Sequence, residues 1–176
     1  EDFMSFEISN LFSVAGKTAI VTGGSRGIGR MIAQGYVENG VKTYISARKA
    51  EACIATAEEL SEKGECIAFP ANLSTKEGRD AFIGEITERE DKIDILVNNA
   101  GAAWGAPFEE YPDDGYDKVM NINLKAIFIL TRDLMPLLLK DASQENPSRV
   151  INVGSIDGLR VSTTCLLYTS PSPRDA

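Results

Sequence analysis

Hydrophobic and polar positions along the chain alternate between short apolar runs and longer amphipathic stretches. The apolar, β-branched runs predict five strands, at Lys17 to Thr22, Thr43 to Ser46, Cys66 to Phe69, Ile93 to Val97 and Arg149 to Val153. Between them, apolar residues recur at helical spacing over residues 28–40, 50–62, 76–90 and 113–140, where Pro136 disturbs the last stretch. Strands that alternate with helices pair in parallel through right-handed crossovers. The pattern predicts a doubly wound α/β fold with strand order 3-2-1-4-5, incomplete on its C-terminal side, and ligands beyond the carboxyl ends of its strands.

Composition narrows the class of protein. The 176 residues are 43% hydrophobic and 25% charged, which suits one soluble domain with a single core. Because 26 acidic residues outnumber 18 basic ones, giving a net charge of −8, we expect no nucleic-acid partner. The sequence contains no histidine, which excludes Ser-His-Asp catalysis and His-ligated metal sites within it, and we expect no metal.

The cysteines and the N-terminal residues bear on the compartment. Cys53, Cys66 and Cys165 form no CxxC pair, so we expect a reducing environment. No apolar run reaches the length of a membrane span, and the acidic start from Glu1 to Lys17 differs from a signal peptide. We therefore expect a cytoplasmic protein without a membrane partner; because the chain begins at Glu1 rather than Met, the completeness of its N-terminus stays open.

A glycine-rich segment joins the first strand to the first helix: Thr22-Gly23-Gly24-Ser25-Arg26-Gly27-Ile28-Gly29. In this context Gly23 permits a tight turn, Gly27 lets the main chain approach a pyrophosphate, and Gly29 lets the helix pack closely on the sheet. The helix N-terminus adds unpaired N–H groups and the positive end of its dipole. The TGxxxGxG spacing predicts a dinucleotide site in a Rossmann-type domain, with a purely structural turn as the alternative.

Three motifs in order along the chain resemble the short-chain dehydrogenase/reductase family. They are the TGxxxGxG segment, Asn98-Asn99-Ala100-Gly101 after the fourth strand, and Val153-Gly154-Ser155-Ile156 after the fifth. The resemblance covers residues 17 to about 164 and is greatest to 3-oxoacyl reductases of the rhamnolipid-biosynthesis type. It implies a nicotinamide cofactor and the reduction of a carbonyl to a secondary alcohol, with Asn99, Ala100 and Gly101 close to the nicotinamide ribose.

The residues after the second strand favour NADP(H) over NAD(H). A carboxylate about 20 residues beyond the glycines would bind an NAD ribose, but the chain has Ser46-Ala47-Arg48-Lys49 there. Arg26 and Arg48 can form charge-assisted bonds to a 2′-phosphate, and Lys49 adds a positive charge. The alternative is that these are three solvated surface cations.

The resemblance assigns four further residues to the site. Asn72-Leu73 stand where the family has Asp and a hydrophobic residue beside the adenine, and the Asn leaves the hydrogen-bond pattern open. Ser155 matches the serine that hydrogen-bonds the carbonyl undergoing reduction. Asn123 matches the helix asparagine that anchors a proton-relay water. Taken alone, Ser155 or Asn123 is more often a cap or turn residue.

The C-terminal residues depart from the pattern. Cys165 to Asp175 has no apolar period, and this string is the in-frame translation of a transposon-end sequencing adapter. We therefore expect residues 1–164 to be a partial domain and residues 165–176 to be a non-native tail. The family's proton donor is a Tyr in a YxxxK motif, whereas Tyr168 is followed by Ser172 at the Lys position and by prolines that prevent a helix.

These observations lead to one expected function and two alternatives. We expect the parent protein to be an NADP(H)-dependent, homo-oligomeric reductase of a 3-oxoacyl thioester, and this chain to be inactive without the YxxxK pair. A general carbonyl or sugar-alcohol dehydrogenase is one alternative. A dinucleotide-binding module without a reaction of its own is the other.

Overall fold

A five-stranded parallel sheet organises the molecule. The structure, a computed structural model, describes residues 12–155, so the expected tail, with Cys165 and Tyr168, lies outside the described residues. The strands are β1 (Thr18–Thr22), β2 (Lys42–Ala47), β3 (Cys66–Pro70), β4 (Ile95–Asn98) and β5 (Arg149–Asn152). Their order is β3-β2-β1-β4-β5 with every neighbouring pair parallel, which confirms the doubly wound topology.

Helices cover both faces of this sheet. They are α1 (Gly27–Glu38), α2 (Ala50–Ser61), α3 (Lys76–Arg89), α4 (Asp113–Met120), α5 (Ala126–Asp133) and α6 (Met135–Leu139). Helix α3 begins where the Thr75 hydroxyl accepts a hydrogen bond of 3.1 Å from the Gly78 N–H, a normal N-cap. Pro136 lies in the first turn of α6, where proline is tolerated because no helical N–H bond is lost.

The period of two along each strand divides the core into two layers. Val21 of β1 and Ile45 of β2 pack against α1 and α2 on one face of the sheet. Ile20 and Tyr44, one position away on the same strands, pack with α3, α5 and α6 on the other face. Because both faces are covered, the carboxyl edge of the sheet is the place left for a ligand.

The long helical stretch predicted from Asp113 to Lys140 is interrupted in the structure. A π-helical turn, Asn121–Lys125, separates α4 from α5. The wider turn lets Ile122 and Ala126 pack in the core while Asn123, between them, faces the loop after β4. Such turns concentrate at functional sites, and the apolar period alone does not reveal them.

Strand β5 forms one edge of the sheet in the part of the chain that the structure describes. It pairs with β4 from Ile95 opposite Arg149 to Asn98 opposite Asn152, and all four of its residues are exposed. The Asn98 Nδ2 donates to the Asn152 Oδ1 over 2.9 Å, which joins the two strands at their carboxyl ends. Among the described residues, no helix combines the length and apolar character required to cross a bilayer.

Candidate functional site

A cavity of about 700 Å³ opens at the carboxyl ends of β1, β2, β3 and β4. All thirteen residues that the sequence assigns to a cofactor line it: Gly23, Ser25, Arg26, Gly27, Ile28, Gly29, Arg48, Lys49, Asn72, Leu73, Asn99, Ala100 and Gly101. These residues come from four separate strand-to-helix connections. The structure thus brings the predicted set together in one place, within the size range of small-molecule sites.

Two glycines give the first connection its shape. Gly27 has φ +55°, in the left-handed region where a side chain is strained, and it starts α1 at the cavity wall. At Gly29, a Cβ atom would lie 2.3 Å from the Gly23 carbonyl oxygen and 2.4 Å from the Asn99 Nδ2. Because glycine has no side chain at this position, α1 can approach the ends of β1 and β4 closely.

Hydrogen bonds join the glycine-rich loop to the end of β4. The Thr22 hydroxyl accepts from the N–H groups of Asn99 and Ala100, both at 2.9 Å, and donates to the Val97 carbonyl over 3.2 Å. The Asn99 side chain returns to the loop, where its Nδ2 donates to the Thr22 carbonyl over 2.9 Å. Asn99 therefore fixes the relative position of two cavity walls.

Basic side chains line the cavity. Arg26, Arg48 and Lys49 are exposed and line it, and none of them forms an ion pair with an acidic residue in the described part of the chain. The first turn of α1 contains no acidic residue, and no side chain caps it. Cations without acidic partners beside an open helix N-terminus make a site for a phosphate group.

Neither Asn123 nor Ser155 lines the cavity, although Asn123 is bonded to a residue that does. The Asn123 Nδ2 donates to the Ala102 carbonyl over 2.8 Å, and its Oδ1 accepts from the Ala102 N–H over 2.9 Å. Both amide atoms are thus used to hold the loop after β4, and Ala102 lines the cavity. Ser155 follows β5 on the same edge of the sheet and is exposed.

Several cavity residues were missed by the sequence reasoning. They are Ser46, Ala47, Ala52, Ala71, Ser74, Ala102, Lys118 and Ile122. Lys118 and Ile122 lie four positions apart, the spacing of one helix face, so they could have been found once either was placed. Lys118 is held by Trp104, whose ring centroid is 4.8 Å from its Nζ.

Two cysteine thiols lie in the core on one face of the sheet and do not line the cavity. Cys53 and Cys66 are free and buried. Burial raises the pKa of the Cys66 thiol to about 11, and burial likewise raises the pKa of Cys53. Within residues 12–155, no cluster of three or more His, Cys, Asp or Glu side chains could hold a metal ion.

Comparison with known proteins matches this architecture. Residues 17–171 fit the family model described as short chain dehydrogenase. The chain is 52% identical over 148 residues to the rhamnolipids biosynthesis 3-oxoacyl-[acyl-carrier-protein] reductase of Pseudomonas aeruginosa, covering 84% of this chain and 58% of that protein. It is 31% identical over 150 residues to the 5-keto-D-gluconate 5-reductase of Escherichia coli strain K12, covering 85% and 58%.

A solved structure shares the fold. The Pseudomonas aeruginosa RhlG/NADP active-site complex superposes with a TM-score of 0.84 at 48% identity, over 93% of this chain and 64% of that chain. The chain therefore spans less than two thirds of the length of these relatives.

Proposed function

Because the chain belongs to the short-chain dehydrogenase family, we propose that the whole protein is an NADP(H)-dependent oxidoreductase that reduces a 3-oxoacyl thioester to the secondary alcohol. The choice of NADP(H) rests on the three cations without acidic partners, Arg26, Arg48 and Lys49, which line the same cavity as the open N-terminus of α1. The cofactor bound in the RhlG complex is NADP, which supports the same choice here. The substrate rests on the 52% identity to a 3-oxoacyl reductase.

The residues present fit such a cofactor. The close contact of Gly29 with Gly23 and Asn99, which leaves no room for a Cβ atom, brings the N-terminus of α1 to the cavity, and the α1 N–H groups would receive the pyrophosphate. Arg26 and Arg48 would hold the 2′-phosphate, with Lys49 as an added charge. When bound, NADPH supplies the hydride that converts a carbonyl into an alcohol.

Side chains outside the cofactor cavity would serve the substrate. The Ser155 hydroxyl would donate to the carbonyl oxygen and favour the negative charge that develops there. Asn123 holds Ala102 and through it the cavity wall. Each amide atom of Asn123 keeps one further hydrogen-bonding position, so a proton-relay water would bind at Asn123 without displacing Ala102.

The chain as printed should bind the cofactor without turning it over. None of its five tyrosines is followed by Lys four positions later, so the sequence contains no YxxxK motif. Without a positioned proton donor and the Lys that lowers its pKa, we expect no reduction of a 3-oxoacyl thioester. A chain that consumed NADPH with such a thioester at rates normal for this family would refute this expectation.

A keto-sugar acid is the second candidate substrate. The 31% identity to a 5-keto-D-gluconate 5-reductase favours it, over nearly the same span of this chain. The whole protein, assayed with a 3-oxoacyl thioester and with 5-keto-D-gluconate at matched concentrations, should show the higher kcat/KM for the thioester. A higher kcat/KM for 5-keto-D-gluconate would instead favour the sugar acid as the substrate.

Cofactor choice can be tested on this chain by calorimetry. Arg48→Ala should weaken NADPH binding by about 10- to 100-fold and leave NADH binding within about twofold, because a charge-assisted bond to the 2′-phosphate is lost. Arg132→Ala is the matched control, since Arg132 pairs with Asp133 on α5, outside the cavity. Equal weakening of both nucleotides by Arg48→Ala, or no binding of NADPH to the unchanged chain, would contradict the proposal.

Compartment and assembly complete the proposal. The free thiols of Cys53 and Cys66 support a reducing compartment, and we place the protein in the cytoplasm. Leu124 in the π-turn and Phe128 on α5, which are 60% and 62% exposed, support self-association of the whole protein through this region.

A further inference from the structure

Lys118, on α4, is a half-buried cation that lines the cavity and that the proposed cofactor contacts do not use. Asp114 lies four positions earlier on the same helix, a spacing at which an acid and a lysine can pair and stabilise the helix. Lys118 nevertheless forms no ion pair with Asp114 or with any other acidic residue of the described chain. Its Nζ lies 4.8 Å from the centre of the Trp104 ring instead.

The Trp104 residue is held against α4 at two points. A Cβ atom at Gly115 would lie 2.9 Å from the Trp104 Cδ1 and Cγ, so the indole packs directly on the helix backbone there. The Tyr111 hydroxyl donates to the Trp104 carbonyl over 3.3 Å, which holds the main chain of the loop after β4. Because Gly115 and Lys118 are three positions apart on one helix face, the ring that packs on Gly115 is also within reach of the Lys118 ammonium group.

The cavity is basic although the chain as a whole is acidic. None of the described residues that line it is acidic, whereas the sequence contains 26 acidic residues and has a net charge of −8. Three of its four cations, Arg26, Arg48 and Lys49, follow β1 and β2, and Lys118 lies in the chain after β4. The Trp104 ring orders the Lys118 ammonium group without cancelling its charge, because an indole carries no net charge.

We propose that Lys118 is a further anion-binding residue of the cavity and that Trp104 is its positioning residue. The 2′-phosphate has Arg26 and Arg48, so Lys118 attracts the pyrophosphate, the charge that NADPH and NADH share. A charge in a cavity that partly excludes water acts more strongly than the same charge at an open surface. The inference rests on the proposed binding of NADP(H), and it adds a residue that strengthens binding without choosing between the two cofactors.

Calorimetric titration of this chain tests the inference without any need for turnover. Lys118→Gln should weaken NADPH and NADH by about 3- to 10-fold each, because an ordered charge that attracts the pyrophosphate is lost. The loss relative to the unchanged chain should shrink when NaCl is raised from about 20 to about 500 mM, since salt screens the attraction. Lys125→Gln is the matched control, because it removes the same charge from an exposed position in the π-turn, outside the cavity.

A double-mutant cycle tests the role of the indole. Trp104→Leu should weaken both nucleotides by about 2- to 3-fold, and it should cause no further loss in a chain that already carries Lys118→Gln, because the ring acts through Lys118. Lys118→Arg should retain most of the affinity, since a guanidinium group also stacks on an aromatic face.

The two nucleotides separate this inference from the proposed function. Four results would overturn the inference while NADPH binding stands: unchanged affinity in Lys118→Gln, a loss that salt does not reduce, a loss confined to NADPH, or additive losses in the double variant. An equal loss in Lys125→Gln would likewise overturn it, because net charge alone would then explain the effect. No heat with either nucleotide in the unchanged chain would overturn both the inference and the proposed function.

Discussion

At the scale of single residues, the two hydrogen bonds between Asn123 and Ala102 hold the middle of the loop after β4. They join a helical side chain to both backbone polar atoms of one residue, at 2.8 and 2.9 Å. The partially buried setting makes loss of these bonds costly, because the loop groups are left without protein partners.

Asn123→Ala should lower the free energy of unfolding by about 1–3 kcal/mol and weaken NADPH binding, because the Ala102 wall loosens. Urea denaturation followed by circular dichroism, with calorimetry for NADPH, measures both effects. Asn121→Ala is the matched control, since Asn121 lies in the same π-turn and gains the same helix propensity. Equal stability changes in the two variants would show that the Ala102 contact contributes nothing.

By resemblance, the sequence predicts that Asn123 anchors a proton-relay water, and this role stays a prediction. The contact of its side chain with Ala102 could not be predicted from the sequence. Nothing in the apolar period around it signals the π-turn, because the neighbouring core positions continue on both sides. The orientation of the Asn72 amide was open for a similar reason: it depends on Ser74, a contact that follows from the turn and not from a motif.

At the scale of elements, a cluster of three polar side chains connects β2 to the C-terminal end of α3. The Tyr44 hydroxyl donates to Glu90, and the Lys42 Nζ lies 2.7 Å from the same carboxylate oxygen. Burial, followed by the bond to Glu90, raises the pKa of Tyr44 to about 12. The hydrogen bond to Glu90 also raises the pKa of Lys42.

A raised folded-state pKa makes stability depend on alkaline pH. The unfolded phenol titrates near pH 10, so the folded chain retains the Tyr44 proton more strongly between pH 10 and 12. This contribution is complete below pH 10 and is lost as the pH rises toward 12. The contribution of Lys42 to stability is likewise lost as the pH rises, because the pKa of Lys42 in the folded chain is also raised.

Tyr44→Phe should therefore flatten the decline of unfolding free energy between pH 10 and 12, although it removes a hydrogen bond at neutral pH. Urea denaturation at pH 8, 10 and 11.5 gives the slope for each variant. Tyr116→Phe is the control, because Tyr116 is 48% exposed on α4. If the slope for Tyr44→Phe were as steep as that for the unchanged chain, the assignment of this pH dependence to Tyr44 would be wrong.

At the scale of the whole molecule, the order of the strands could be predicted and the packing of the edge could not. Alternating runs and right-handed crossovers leave few arrangements, of which 3-2-1-4-5 is the expected one, and the structure has it. The cavity follows from that order, since all thirteen residues predicted to bind the cofactor follow the ends of strands. Lys118 and Ile122 were missed because the entry of α4 into the cavity depends on tertiary packing rather than local spacing.

The edge strand β5 predicts association of this chain. Val150, Ile151 and Val153 are 41%, 43% and 37% exposed at the edge of the sheet, an apolar surface that water disfavours. Ile151→Lys should shift the chain toward monomer in analytical ultracentrifugation at concentrations where the unchanged chain self-associates. Ile54→Lys, at 45% exposure on α2, is the control and should leave association unchanged. An equal shift in both variants would point to net charge rather than to β5.

The single hydroxyl group of Thr22 has a mechanical consequence. Thr22 ends β1 just before the glycine-rich loop, and its hydroxyl is bonded to the Val97 carbonyl of β4 and to the first two N–H groups of the loop after β4, so neither loop can be displaced without pulling the other. We expect the two loops that line the cavity to move as one rigid unit rather than independently. A ligand would then bind a preformed cavity, and little of its binding free energy would be lost in ordering the protein.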